Sequence, residues 1–292
     1  MTDNPLFTLA RSGKRQTHPA LAVLIVIAAL LFGELIGGGL GSLVPMPEGP
    51  AWALLFQLVF GFAPVAFLMW VWVRGFEGRG WRTFGFTGER AGLRASRGFL
   101  TGLLSFSVVV GILAVLGFTL REEVPQGLAA VGPALLVLVG WIVQGSTEEI
   151  VTRGYLLPVT GARWGAPAGV AVSAGLFAVL HLLNPGITVL SVVNLVLVGV
   201  LLALYALYEG ALWGACLWHA AWNWAQGSVF GLEVSGLKTG MLAVLDLKED
   251  GPDVVTGGLF GPEGGLATTL TLSLGIAVIF LAARRKGSWG RG

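Results

Sequence analysis

The run Ala20–Val44, ALAVLIVIAALLFGELIGGGLGSLV, decides the fold. Its one ionisable side chain is Glu34. A helix rises ~1.5 Å per residue and the hydrocarbon core of a bilayer is ~30 Å thick, so about 20 apolar residues cross it. Arg11, Lys14 and Arg15 precede the run as they would a signal peptide. The run is longer than a signal h-region and no A-x-A-like site follows, so it is expected to be retained as a first span. Gly33, Gly37 and Gly41 form a double GxxxG, which predicts close packing against another helix.

Seven further runs of the same kind follow, at roughly 51–73, 98–119, 131–158, 166–184, 187–207, 210–228 and 265–283. The expected fold class is all-α: a polytopic membrane helix bundle of about eight transmembrane helices, with residues 1–292 forming one integral membrane domain. The fourth run exceeds what a span needs, so it should tilt or project into water. Composition agrees. Hydrophobic residues make up 55% of the 292 and charged ones 12%, half the share of an ordinary soluble domain. The same figures exclude disorder, and a lone cysteine, Cys216, excludes a disulfide scaffold. A net charge of +2 is too small for a nucleic-acid binder.

Lys and Arg set the orientation. With eight spans, Arg11, Lys14, Arg15, Arg74, Arg79, Arg82, Arg90, Arg94, Arg97, Arg163, Arg284, Arg285, Lys286 and Arg291 share one side, and Arg121, Lys238 and Lys248 the other. Both termini are therefore expected in the cytoplasm, with the chain in a prokaryotic inner membrane and its lipid bilayer as a constant partner. The long loop at about 229–264 is acidic, and its stretch Gly257–Gly265 is too rich in Gly and Pro to continue a helix. The apolar piece Gly240–Leu247 is expected to lie on the membrane surface or partly re-enter.

Ionisable groups inside a membrane are costly, so each one in a span is a candidate functional residue. Here they are Glu34, Glu148, Glu149, Arg153, His181 and His219, joined by the polar Asn194 and Asn223. Glu149 and Arg153 are four apart and can pair, while Glu148 is turned about 100° away and has no local cation. An unmatched carboxylate in apolar surroundings suits a general base. His219 and Asn223 share a face at i, i+4, as do Phe177 and His181. Singly, each cluster has an ordinary packing explanation. Their depths argue otherwise. Glu148 lies ~20 Å along its helix from the turn near Gly161, and His181 ~21 Å from Pro167 on the returning helix. His219 and Asn223 lie ~13–19 Å into the seventh span from the same side. Three costly clusters thus converge on one depth, open to the cytoplasmic half. Glu34 either belongs to this site or sits neutral in the first span; the sequence does not choose.

A carboxylate and an imidazole can hold and deprotonate a water, and a histidine with an asparagine can donate to an oxyanion. These are the parts for amide hydrolysis. Cys216 reads as a small buried residue. Glu148, His181 and His219 could instead supply three ligands to zinc, although no HExxH occurs.

The three clusters resemble the motifs of the CPBP family (CAAX proteases and bacteriocin-processing enzymes, also called Abi). EExxxR stands here as Glu148–Arg153, FxxxH as Phe177–His181 and HxxxN as His219–Asn223, in the family's order. The resemblance covers about 130–228, which would be the catalytic core. It implies an intramembrane endopeptidase acting on peptide or protein substrates in or at the membrane, prenylated CAAX-type proteins in eukaryotic members. Carried over by position, Glu148 and His181 activate the water, His219 and Asn223 form the oxyanion site, Glu149 and Arg153 orient the motif, and Phe177 and Trp222 face the substrate. The family is often described as metalloproteases, so zinc stands beside a metal-free glutamate mechanism. Two other classes compete: a non-enzymatic immunity or scaffold protein keeping the motifs for packing, and a solute transporter, which the lack of internal repeats opposes.

Overall fold

The computed structural model describes residues 4–88, 90–121, 127–239 and 243–285. Lys286, Arg291 and residues 240–242 of the apolar loop piece lie outside them. Every expected run is helical. After a short α1 (Pro5–Arg11) come α2 (Pro19–Leu43), α3 (Pro50–Trp72), α4 (Ala91–Val115), α5 (Val131–Glu149), α6 (Leu157–Trp164), α7 (Ala166–Leu180), α8 (Val189–Glu209), α9 (Trp213–Trp224), α10 (Asp253–Thr256) and α11 (Leu266–Arg285). The chain is an all-α polytopic bundle, and among the described residues six helical segments are long and apolar enough to cross a membrane. The expectation of eight is therefore met in helices but not in full-length spans. α7 has 15 residues and stops at His181, and α9 has 12 before a π-helical turn, Ala225–Phe230. Both polar motifs they carry lie near those ends.

The fourth segment is the longest, running unbroken from Gly127 to Trp164. Its α5 and α6 parts are joined by a π-helical turn at Ile150–Leu156, which begins right after Glu149. Such turns insert an extra residue and re-aim the side chains around them. Gly165, at φ 89°, then reverses the chain into α7. α8 starts on a capping box, with Thr188 Oγ1 accepting from Ser191 N while Ser191 Oγ accepts from Thr188 N.

Small residues set the helix crossings, because lipid provides no hydrophobic drive between helices and close van der Waals contact must replace it. A Cβ at Gly33 would lie 2.5 Å from Val65, and one at Gly37 would strike the Phe60 carbonyl, so the GxxxG run is a packing face on α3. A Cβ at Gly145 would lie 2.9 Å from Ala220 N, which brings α5 against α9. Gly98 and Gly102 of α4 admit the backbone of Gly214 and Trp218 in the same way.

Beyond the helices, β1 (Thr119–Arg121) pairs antiparallel with β2 (Leu247–Glu249). Glu249 Oε1 is buried here without a hydrogen-bond partner. Burial, and then the nearby Glu233, push this carboxyl up to about 8.

Two outcomes follow. Gly102→Val should destabilise the bundle by about 1–3 kcal/mol, since backbone rather than a movable side chain opposes the new atoms; thermal unfolding in detergent reads it. At Glu249 the folded chain holds the proton more tightly than the unfolded chain does. Its stabilising effect is present at low pH and is lost as pH rises from about 4.5 to about 8. Glu249→Gln should remove that dependence, so wild type and variant should diverge in ribbon hydrogen exchange only toward alkaline pH.

Candidate active site

Glu149 is the hub. It is fully buried, and its Oε1 accepts from Arg153 Nη1 at 2.8 Å and from His219 Nδ1 at 2.9 Å. Glu149 and Arg153 meet because they are four apart across the start of the π-helical turn. Arg153, also fully buried, donates through Nη1 to Thr152 Oγ1 (2.8 Å) and through Nη2 to the Gly199 carbonyl of α8 (3.1 Å). Its guanidinium stands 4.7 Å over the Phe177 ring. That ring lies 4.6 Å from the His181 ring and 6.0 Å from that of His219. Phe177 is thus the spacer that ties α7 to the ion pair and to both histidines.

Glu148 faces the other way, as the 100° step demands. Its Oε1 accepts from Gln144 Nε2 at 2.7 Å, and Gln144 Oε1 accepts from Asn223 Nδ2 at 2.9 Å. Its Oε2 has no hydrogen-bond partner and lies 3.7 Å from His219 Nε2. The sequence-expected residues Glu148, Glu149, Arg153, His219 and Asn223 therefore form one connected network, with Gln144 as the link the sequence reading passed over. Its signal was present: a polar side chain in an apolar run, one turn before Glu148.

Acceptors fix the imidazoles. A carboxylate or a carbonyl can only accept, so His219 Nδ1 donates to Glu149, and His181 Nδ1 donates to the Phe177 carbonyl at 2.7 Å. His181 Nε2 is left free to accept. Glu148, His181, His219 and Asn223 line one cavity of about 510 Å³ together with Phe177 and Trp222. Trp222 Nε1 donates to Glu263 Oε1 (2.9 Å), while Glu263 Oε2 accepts from the backbone N and the hydroxyl of Ser235. The glycine-rich loop is thereby fastened to the site, a contact with no local sequence signal. Asn194 belongs to that fastening: it donates to the carbonyls of Glu263 and Gly265 and accepts from Thr269. Cys216 is buried.

The zinc set considered above, Glu148, His181 and His219, is not gathered. Among the described residues no three His, Cys, Asp or Glu side chains stand close enough to hold a metal. His219 Nδ1 donates to Glu149 and His181 Nδ1 to its own helix, which leaves Nε2 as the unused ring nitrogen of each.

Residues 130–225 match the model of a family described as Rce1-like, type II CAAX prenyl endopeptidase. No curated protein and no solved structure matches the chain. The matched segment begins just before α5, ends one residue beyond α9 and holds all three motifs; α2, α3 and the loop carrying Glu263 lie outside it.

Removing one partner of a buried pair strands the other charge, whereas replacing both need not. Arg153→Met should lower stability by about 3–5 kcal/mol. Adding Glu149→Gln should restore most of it, as read by detergent unfolding.

Proposed function

From the match of residues 130–225 to the Rce1-like endopeptidase model, we infer that this chain is a membrane-embedded peptidase that hydrolyses peptide bonds of membrane-associated substrates, CAAX-type proteins among them. Residues 130–228 are its catalytic core. Both termini lie in the cytoplasm, and the cavity opens toward that half of the membrane. The observation that carries the reading is the free Glu148 Oε2, buried at the cavity wall 3.7 Å from His219 Nε2 while Gln144 holds its other oxygen.

The steps follow from these groups. Water lies between Glu148 Oε2 and the free Nε2 of His181. Glu148 takes a proton as the water oxygen bonds to the substrate carbonyl carbon. The carbonyl oxygen becomes an oxyanion, held by the second Nδ2 hydrogen of Asn223 and by Nε2–H of His219 in its imidazolium form. Glu149 supports that cation through Nδ1. The intermediate collapses with cleavage of the C–N bond, and the proton on Glu148 passes to the leaving amine. The scissile bond is thus exchanged for a carboxyl and an amine, with Glu148 returned to its starting state and His219 an imidazolium throughout. Glu149 Oε2 is also without a hydrogen-bond partner, but Glu149 does not line the cavity; what supports a catalytic role is that the unpartnered oxygen of Glu148 belongs to a cavity-lining residue.

Purified wild type should cleave a farnesylated CAAX peptide or an unmodified apolar peptide, with and without a strong chelator. Glu148→Ala should lower the rate by roughly 10²- to 10⁴-fold, the usual worth of a general base. Gln144→Leu should cost about tenfold to a hundredfold by releasing Glu148 and Asn223 from their positions. Cleavage that survives in Glu148→Ala overturns the mechanism, and loss with chelator restored by zinc replaces it with a metal one. Full cellular function in Glu148→Gln would return the protein to the scaffold class.

A further inference from the structure

Glu34 lies outside the matched segment, and nothing in the mechanism uses it. It nevertheless lines the same cavity as Glu148. On α2 the cavity-facing residues are Ile27, Leu30, Leu31 and Glu34, spaced i, i+3, i+4, i+7, so Glu34 is the one charge on an otherwise apolar stripe.

Helix register gives its depth. Gly140 of α5 lies against Leu58 of α3, and further along Tyr155 donates to Glu77, so these two segments run in the same direction. Advancing from Leu58 to Val65 on α3 therefore advances from Gly140 to the neighbourhood of Thr147. Val65 is the residue against which Gly33 packs. Glu34 is thus level with Glu148 to within about one helical turn, and both line the cavity.

The other ionisable cavity residues are accounted for. Glu263 is held by Trp222 and Ser235, Lys238 stands 3.8 Å from Glu233, His219 and Glu148 belong to the network above, and His181 donates to the Phe177 carbonyl. Glu34 makes no hydrogen bond or ion pair with any described residue, and the one Lys or Arg among the described cavity-lining residues, Lys238, stands beside Glu233. A counter-charge favours a carboxylate at membrane depth, and a ligand bound in the cavity can supply one.

We propose that Glu34 is a specificity-determining residue that takes a basic side chain, Lys or Arg, of the peptide next to the scissile bond. The proposal rests on the peptidase reading but concerns selection, not bond breaking. Glu34 is exposed, and a charge-assisted contact there discriminates because the neutral competitor leaves the carboxylate unpaired.

The test uses full-length protein in nanodiscs carrying Glu148→Gln, so that binding is read without turnover. The probes are apolar peptides with one lysine moved through successive positions, each matched by a norleucine peptide. Lysine should be favoured by about tenfold at one position or two adjacent ones. Glu34→Gln should erase that preference while leaving norleucine binding unchanged, and Glu34→Asp should keep part of it. Lysine and norleucine bound alike at every position overturns the proposal, as does a lysine preference that survives Glu34→Gln. A Glu34-dependent lysine preference with no cleavage of any peptide by the Glu148-intact protein would instead fail the peptidase reading and leave a basic-peptide binding cavity.

Discussion

The ion pair between Glu149 and Arg153, buried completely among apolar helices, is the constraint on which the site depends. Two charges removed from water recover their desolvation cost only if geometry is good and the remaining hydrogen-bonding capacity is used. Here Arg153 reaches Glu149, Thr152 and the Gly199 carbonyl and lies over Phe177, so one guanidinium joins α5, the turn that follows it, α7 and α8. The same Glu149 oxygen takes His219 of α9. Moving any of these helices would strand a charge. The pair therefore acts less as a source of net stability than as a register pin, fixing where His219 and Phe177 stand relative to Glu148.

Such a network needs backbones close together, and that need explains the glycines. Gly145 lies one residue after Gln144 and three before Glu148, at the point where α5 meets α9. A side chain there would separate Gln144 from Asn223 and the glutamates from His219. The π-helical turn after Glu149 has a related effect: its wider spacing turns Arg153 onto Glu149 and its partners on α8 while the helix continues into α6. Packing and chemistry are thus specified by the same few residues of one segment.

Much of this was legible from residue spacing. Hydropathy runs located every long helix, and i, i+4 pairs announced Glu149 with Arg153, Phe177 with His181 and His219 with Asn223. Depth counted along the hairpin placed Glu148 level with His181, and both line one cavity. What escaped was non-local or weakly marked. Gln144 is uncharged and was passed over although it sits on the Glu148 face. Glu263 lies in a glycine-rich loop, and no periodicity links it to Trp222. The division between full-length spans and the shorter α7 and α9 escaped as well, because apolar runs measure hydrophobicity but not where a polar motif ends a helix. Only three-dimensional placement gives Glu34 a depth and a cavity.

In the proposed mechanism, one step of a helix separates the structural from the reactive of two adjacent glutamates. Residues 148 and 149 have the same side chain and nearly the same depth. A rotation of about 100° sends Glu149 Oε1 into donors from Arg153 and His219, away from the cavity, and sends Glu148 to the cavity wall; each keeps one oxygen without a hydrogen-bond partner, but only Glu148 lines the cavity. A lone carboxylate would have to serve both ends: binding cations firmly enough to pin helices would leave it a poor base, and staying free for water would leave the arginine unpaired. Dividing the work between neighbours removes the conflict. It also accounts for the order of the motif, since the residue that pairs at i+4 with Arg153 must be the second glutamate, and the first is then the one turned toward the cavity.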